Sequence, residues 1–121
     1  MASEIHMSNR IKSKRTYSRY TLDAVALLGK HIQIARKAQK LTIGDFSDRI
    51  GVSPTTLQKI EKGDLKCEIG IVFEAAALVG IQLFDTSTEQ TFTSKLESAD
   101  NKLALLPKSI RPHHKELDDD F

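Results

Sequence analysis

The sequence predicts an all-α protein: a compact domain of four to five short helices, a brief C-terminal strand and flexible tails. Three observations predict it. Apolar residues recur at three- and four-residue intervals in successive segments between residues 21 and 80. Hydroxyl residues head several of these segments and glycines close them. About three residues separate the second helix from the third, which forces a sharp angle between two short helices, the helix-turn-helix arrangement.

Thr21 offers an N-cap for a first helix, along which Val25, Leu28, Ile32 and Ala35 share one face. Arg36, Lys37 and Lys40 gather at its C-terminal end, where cations suit the helix dipole. Thr42 caps a second helix over roughly 43–50, with Phe46 and Ile50 turned inward and Gly51 as a left-handed stop. Ser53 caps a third, and Pro54 takes its first position, where a missing N–H costs nothing. Gly63 ends it. A fourth helix is expected from about Glu68 to Val79 on a stripe of Ile69, Val72, Phe73, Ala76 and Val79, with Gly80 after it. "IQLFD", residues 81–85, reads as a short strand that cannot stand alone and needs a partner such as the same segment of a second subunit. Residues 95–106 read as a weak helix carrying an apolar cluster of Leu103, Leu105 and Leu106, and Pro107 and Pro112 interrupt the chain after it.

With 121 residues, 40% of them hydrophobic, the chain suits one domain with tails. The expected organisation is a basic, flexible arm over 1–20, a helix-turn-helix domain over 21–87, and a largely flexible tail over 88–121. Formal charge is only +2, but its distribution is uneven. Arg10, Lys12, Lys14, Arg15 and Arg19 face a single acid, Glu4, in the arm, which suits a polyanion or an acidic partner. The single cysteine, Cys67, excludes an internal disulfide and fits a reducing compartment. No apolar run approaches a membrane span, and no charged-then-apolar leader opens the chain, so a cytoplasmic location is expected. "MASEIHM" is set aside from the fold reading, with Met7 as the expected native start.

Advancing about 100° per residue from Pro54 separates two sides of the third helix. Leu57 and Ile60 point to the core; Thr55, Gln58, Lys59 and Lys62 point away. The outward side has two cations, no acid, and short hydrogen-bonding groups at its N-terminal end, where free N–H groups attract phosphate. A DNA major groove needs short polar groups for base edges and lysines for the flanking phosphates. An ordinary solvated helix face would look the same, and composition alone leaves both readings open.

The stretch "LTIGDFSDRIGVSPTTLQKIEKGD" resembles the helix-turn-helix of the XRE, or Cro/lambda-repressor, family. Thr42, Phe46-Ser47, Gly51-Val52-Ser53, Leu57 and Ile60-Glu61-Lys62-Gly63 carry the match, and the likeness runs from about Leu22 through Phe84. The resemblance implies a lambda-repressor-like domain that binds double-stranded operator DNA as a homodimer. It implies that Pro54, Thr55, Gln58 and Lys59 face bases. Thr42, Ser53, Thr56, Lys62 and Lys66 would meet phosphates, joined by Arg15 and Arg19 of the basic arm. Arg36 and Glu61 stand where relatives pair an arginine of the first helix with a glutamate of the third. Three residues depart from the family pattern. Ile43 replaces a phosphate-contacting glutamine, Pro54 replaces a frequent polar base reader, and Ser47 replaces a common alanine at the crossing of helices two and three.

"GIQLFD" followed by a tail also looks like the HipB-like antitoxins, whose subunits pair such strands across a dimer. Ile81, Leu83 and Phe84 would then serve dimerisation, and a HipA-like kinase toxin is the implied partner. The alternatives are a phage-like or metabolic repressor without a toxin, and an interaction adaptor that has lost DNA binding. "LALLPKSIRP" and the acidic "ELDDDF" fit a docking segment or a plain tail. His113-His114 lacks a second ligand cluster, so no metal is expected; nor are a cofactor or an enzymatic activity. Cys67 is expected to be buried rather than reactive.

Overall fold

The computed structural model describes residues 15–85 and 91–112. The first fourteen residues of the arm, the His113-His114 pair and the acidic end lie outside the described residues. Five helices are present among those described: α1 Arg19–Ala38, α2 Ile43–Ile50, α3 Pro54–Glu61, α4 Ile69–Leu78 and α5 Phe92–Ala104. The chain divides into two units, Met1–Leu83 with α1 to α4 and Phe84–Phe121 with α5.

Cap chemistry decides the boundaries. Thr42 accepts the Asp45 N–H at 3.0 Å, and Ser53 accepts the Thr56 N–H at 3.1 Å, so each hydroxyl satisfies a donor that the helix leaves orphaned. The first helix begins earlier than the sequence predicts. Ser18 is its cap and accepts the Thr21 N–H at 3.3 Å, which places Thr21 inside the first turn. Both residues are hydroxyl-bearing and three apart, so propensity alone does not choose between them. Gly51, Gly63 and Gly80 take left-handed backbone at φ +88°, +79° and +86°. Lys40 closes α1 in the same way at φ +60°, a conformation that costs a non-glycine residue about 1 kcal/mol. The Leu41 N–H then reaches back to the Arg36 carbonyl at 3.1 Å and completes the turn.

One core serves the first unit. Ile32, Phe46, Leu57, Ile60, Ala75, Ala76 and Val79 are buried, and Leu28, Ala35, Ile50, Val72 and Ile81 pack against them. Ser47, fully buried, donates its hydroxyl to the Gly44 carbonyl at 3.0 Å, so its polar atom is satisfied within α2. Gln39 Nε2 donates to the Val79 carbonyl at 3.0 Å and ties the end of α1 to the end of α4. One expectation is corrected. Ile69 is 72% exposed and Phe73 also faces outward, because Ala75, Ala76 and Val79 supply the buried side of α4. Residues 81–85 form no strand, for a strand this short needs a second backbone to complete its hydrogen bonds. In the second unit, helix α5 places 13 residues of the segment read as a tail in a helix, and Thr91 caps it by accepting the Ser94 N–H at 3.2 Å.

Candidate nucleic-acid interface

Helix α3 is anchored from below. Leu57, Ile60 and Glu61 are buried, and the 3.6-residue period turns Thr55, Gln58, Lys59 and Lys62 to the exposed side together with Pro54. No carboxylate forms an ion pair with Lys59, Lys62 or Lys66 among the described residues, so the face keeps its positive charge. At its N-terminal end Ser53 Oγ and Thr56 Oγ1 lie 3.0 Å apart. Two hydroxyl protons are present and one bridges the pair, which leaves one for an outside acceptor. Pro54 adds no donor and Ile43 is half-buried against the core, so neither offers a hydrogen bond at the positions where the family pattern has polar residues.

The Arg36–Glu61 pair holds α3 to α1. Arg36 Nε donates to Glu61 Oε2 at 2.7 Å and Nη2 to Oε1 at 3.0 Å, a two-bond fork. Nη1 donates to the Leu41 carbonyl at 2.9 Å, so the same guanidinium also fixes the loop that leads into α2. Both charged groups are almost wholly buried, and no buried side-chain polar atom lacks a partner among the described residues.

Two glycines set the approach of α3, a role that the sequence reading assigns to neither: Gly63 reads there only as a helix stop and family-pattern residue, and Gly29 is not singled out. A Cβ on Gly29 would lie 2.7 Å from the carbonyl oxygens of both Ile60 and Glu61. A Cβ on Gly63 would lie 2.8 Å from Ala26 Cα. These are backbone atoms that no rotamer change can move aside. The only local signal for Gly29 is a glycine inside a helical pattern, which usually marks close packing.

Beside the outward face lies a cleft of about 290 Å³ lined by Gln33, Lys37, Ile43, Gln58 and Lys62 over the buried ion pair. Gln33 and Lys37 belong to α1, so only the α1–α3 crossing brings them next to the outward face of α3. A second groove, of about 600 Å³, brings Arg15 and Tyr17 together with Asp64, Leu65 and Lys66 of the α3–α4 loop. The Arg15 guanidinium carbon sits 6.0 Å from the Tyr17 ring centre, within cation–π range. Asp64 accepts the Lys66 N–H at 2.8 Å and shapes that loop. Arg19, by contrast, lies on α1 with an exposed Asp23 3.6 Å away, an i,i+4 pair that contributes little. Thr42 is exposed at the head of α2. Ile81 packs on the core, while Leu83 and Phe84 are exposed.

Cys67 closes the loop before α4 and is half-buried. Burial pushes its thiol pKa up, the Asp64 carboxylate adds to that, and Lys59 opposes it. No helix among the described residues is long and apolar enough to cross a membrane.

Residues 32–83 match the family model described as helix-turn-helix, a span that contains the end of α1 from Ile32 and all of α2, α3 and α4. No curated protein and no solved structure matches the chain. With two short helices joined by a three-residue turn, the second of them capped by Ser53 and turned polar side out, residues 32–83 form a helix-turn-helix, and the match supports a DNA-binding transcription regulator of the XRE type.

Proposed function

We propose that the chain is a sequence-specific repressor that binds operator DNA as a homodimer. Thr55, Gln58 and Lys59 would read base edges, with Pro54 packing against the groove. Ser53, Thr56, Thr42, Lys62, Lys66, Arg15 and Arg19 would hold phosphates. The observation that carries the reading is the outward face of α3, polar or cationic after Pro54 above a buried Leu57, Ile60 and Glu61. Two half-sites about 34 Å apart would suit a two-fold dimer. Contacts to bases are few because Pro54 donates nothing, so phosphate contacts carry much of the affinity.

The more specific role we propose is that of a HipB-like antitoxin that represses its own operon and binds a HipA-like kinase toxin. The likeness of "GIQLFD" and the tail after it supports this role, with Ile81, Leu83 and Phe84 in the dimer contact. Residues 81–85 take no strand conformation within one chain, and the backbone of a second subunit would supply the ladder that a strand needs.

Footprinting on the chain's own promoter tests the first reading. Protection of two half-sites on one face of the duplex is expected, and Lys59→Ala should lower specific affinity about tenfold. Binding to promoter and random DNA with equal affinity would overturn it and favour an adaptor. Co-expression with the product of any adjacent kinase-like reading frame tests the antitoxin role. Failure to form a complex would leave a stand-alone repressor.

A further inference from the structure

Helix α5 carries an apolar seam on its exposed surface. Phe92, Leu96 and Leu103 are 54%, 64% and 64% exposed, and Ala99 is exposed between them. Their spacings are four, three and four residues, and Leu106 and Ile110 continue the same alternation beyond the helix end. A four-three alternation is the heptad seam of paired helices, not the broader stripe of a helix packed on a globular core. Phe84 packs edge-on against Phe92 with ring centres 6.0 Å apart, which buttresses the start of the seam.

We propose that α5 pairs in parallel with α5 of a second copy of this chain. The charges flanking the seam name the occupant. With Leu96 and Leu103 at the a positions and Phe92 and Ala99 at the d positions, Lys95 and Lys102 fall at g and Asp100 falls at e. In a parallel pair, a g residue faces the e residue five places further along the partner. Lys95 therefore meets Asp100 of the other copy, and two-fold symmetry repeats the contact. In an antiparallel pair g faces g, which opposes lysine to lysine. Self-complementarity selects the parallel arrangement and a second copy of the same helix.

Thirteen residues make only about two heptads, too short for an isolated coiled coil. Attached to a folded unit that pairs as proposed above, the seam would work at the effective concentration of a tether. Pairing here would add a contact that lies outside the span matched by the family model, and it does not depend on DNA.

Cysteine cross-linking of the full chain without DNA tests this. In a Cys67→Ser background, Leu103→Cys places a thiol on the seam and Ser98→Cys places one off it. A disulfide-linked dimer should form about tenfold faster from Leu103→Cys, because only in-register parallel pairing brings the two copies of residue 103 together. Adding Lys95→Glu or Asp100→Lys to Leu103→Cys should each slow cross-linking about threefold, by setting like charges opposite one another. Mixing the two singly swapped chains should restore the rate in a mixed dimer, since both facing pairs become opposite in charge. Equal rates at positions 98 and 103 would overturn the proposal, as would a mixture no faster than either swapped chain alone. Antiparallel pairing or docking of α5 on its own chain would give one of those two results.

Discussion

Arg36 grips Glu61 through two hydrogen bonds, at 2.7 and 3.0 Å, across the crossing of α1 and α3. The third interaction of that guanidinium, with the Leu41 carbonyl, makes it a three-way junction at the base of the candidate recognition helix. Burying two charges is costly, and only close geometry with every polar atom paired offsets it.

Removing one side should be severe. Arg36→Ala leaves the Glu61 carboxylate buried and uncompensated, with an expected loss of about 3–5 kcal/mol of folding stability in urea titrations. Replacing both residues together by Met and Leu should cost less than either single truncation. It should still cost about 1–3 kcal/mol, because the Leu41 carbonyl loses its donor.

Gly29→Ala should destabilise by about 1–3 kcal/mol, since its Cβ would press into the backbone of Ile60 and Glu61 and push α3 outward. Gly44→Ala is the control. Its Cβ would meet only the Thr42 hydroxyl at 3.9 Å, and thermal denaturation should show it unchanged or slightly stabilised.

Lys62 and Lys59 should separate in salt titrations of promoter binding. Lys62→Ala would remove the phosphate contact proposed for it, so affinity should fall on all sequences and the slope of log affinity against log salt should shrink by about one. Lys59→Ala should instead narrow the gap between promoter and random DNA by about 1–3 kcal/mol.

The Cys67 thiol should alkylate slowly at neutral pH, because burial and the Asp64 carboxylate both disfavour the thiolate. Asp64→Asn removes one of the two raising influences and keeps an acceptor for the Lys66 N–H. The thiol pKa should fall and iodoacetamide labelling at a fixed pH near neutrality should quicken. Lys59→Ala should act in the opposite sense. Labelling rates across a pH series check both.

Much of the helix-turn-helix was legible because its signals are local. Thr42 and Ser53 cap through their own hydroxyls, Gly51 and Gly63 turn left-handed, and Pro54 tolerates the first helical position whatever surrounds it. The buried and exposed sides of α3 come from the helix period alone. Residues 81–85 take no strand form in one chain for the opposite reason: a strand is completed by another backbone, which one chain does not supply. Ser18 displaced Thr21 as a cap because two equivalent hydroxyls were within reach.

By itself, then, the sequence determined the all-α class, the order of the first four helices, and which residues of α3 face outward. Only the tertiary structure decided how closely α3 approaches α1. That distance depends on a missing side chain at Gly29 and on backbone atoms 31 and 32 residues away. It likewise decided that Gln33 and Lys37 line a cleft beside the outward face of α3, and that Ile69 and Phe73 stay outside the core. Local propensity acts within a few residues along the chain, whereas packing compares surfaces that meet only after the helices cross.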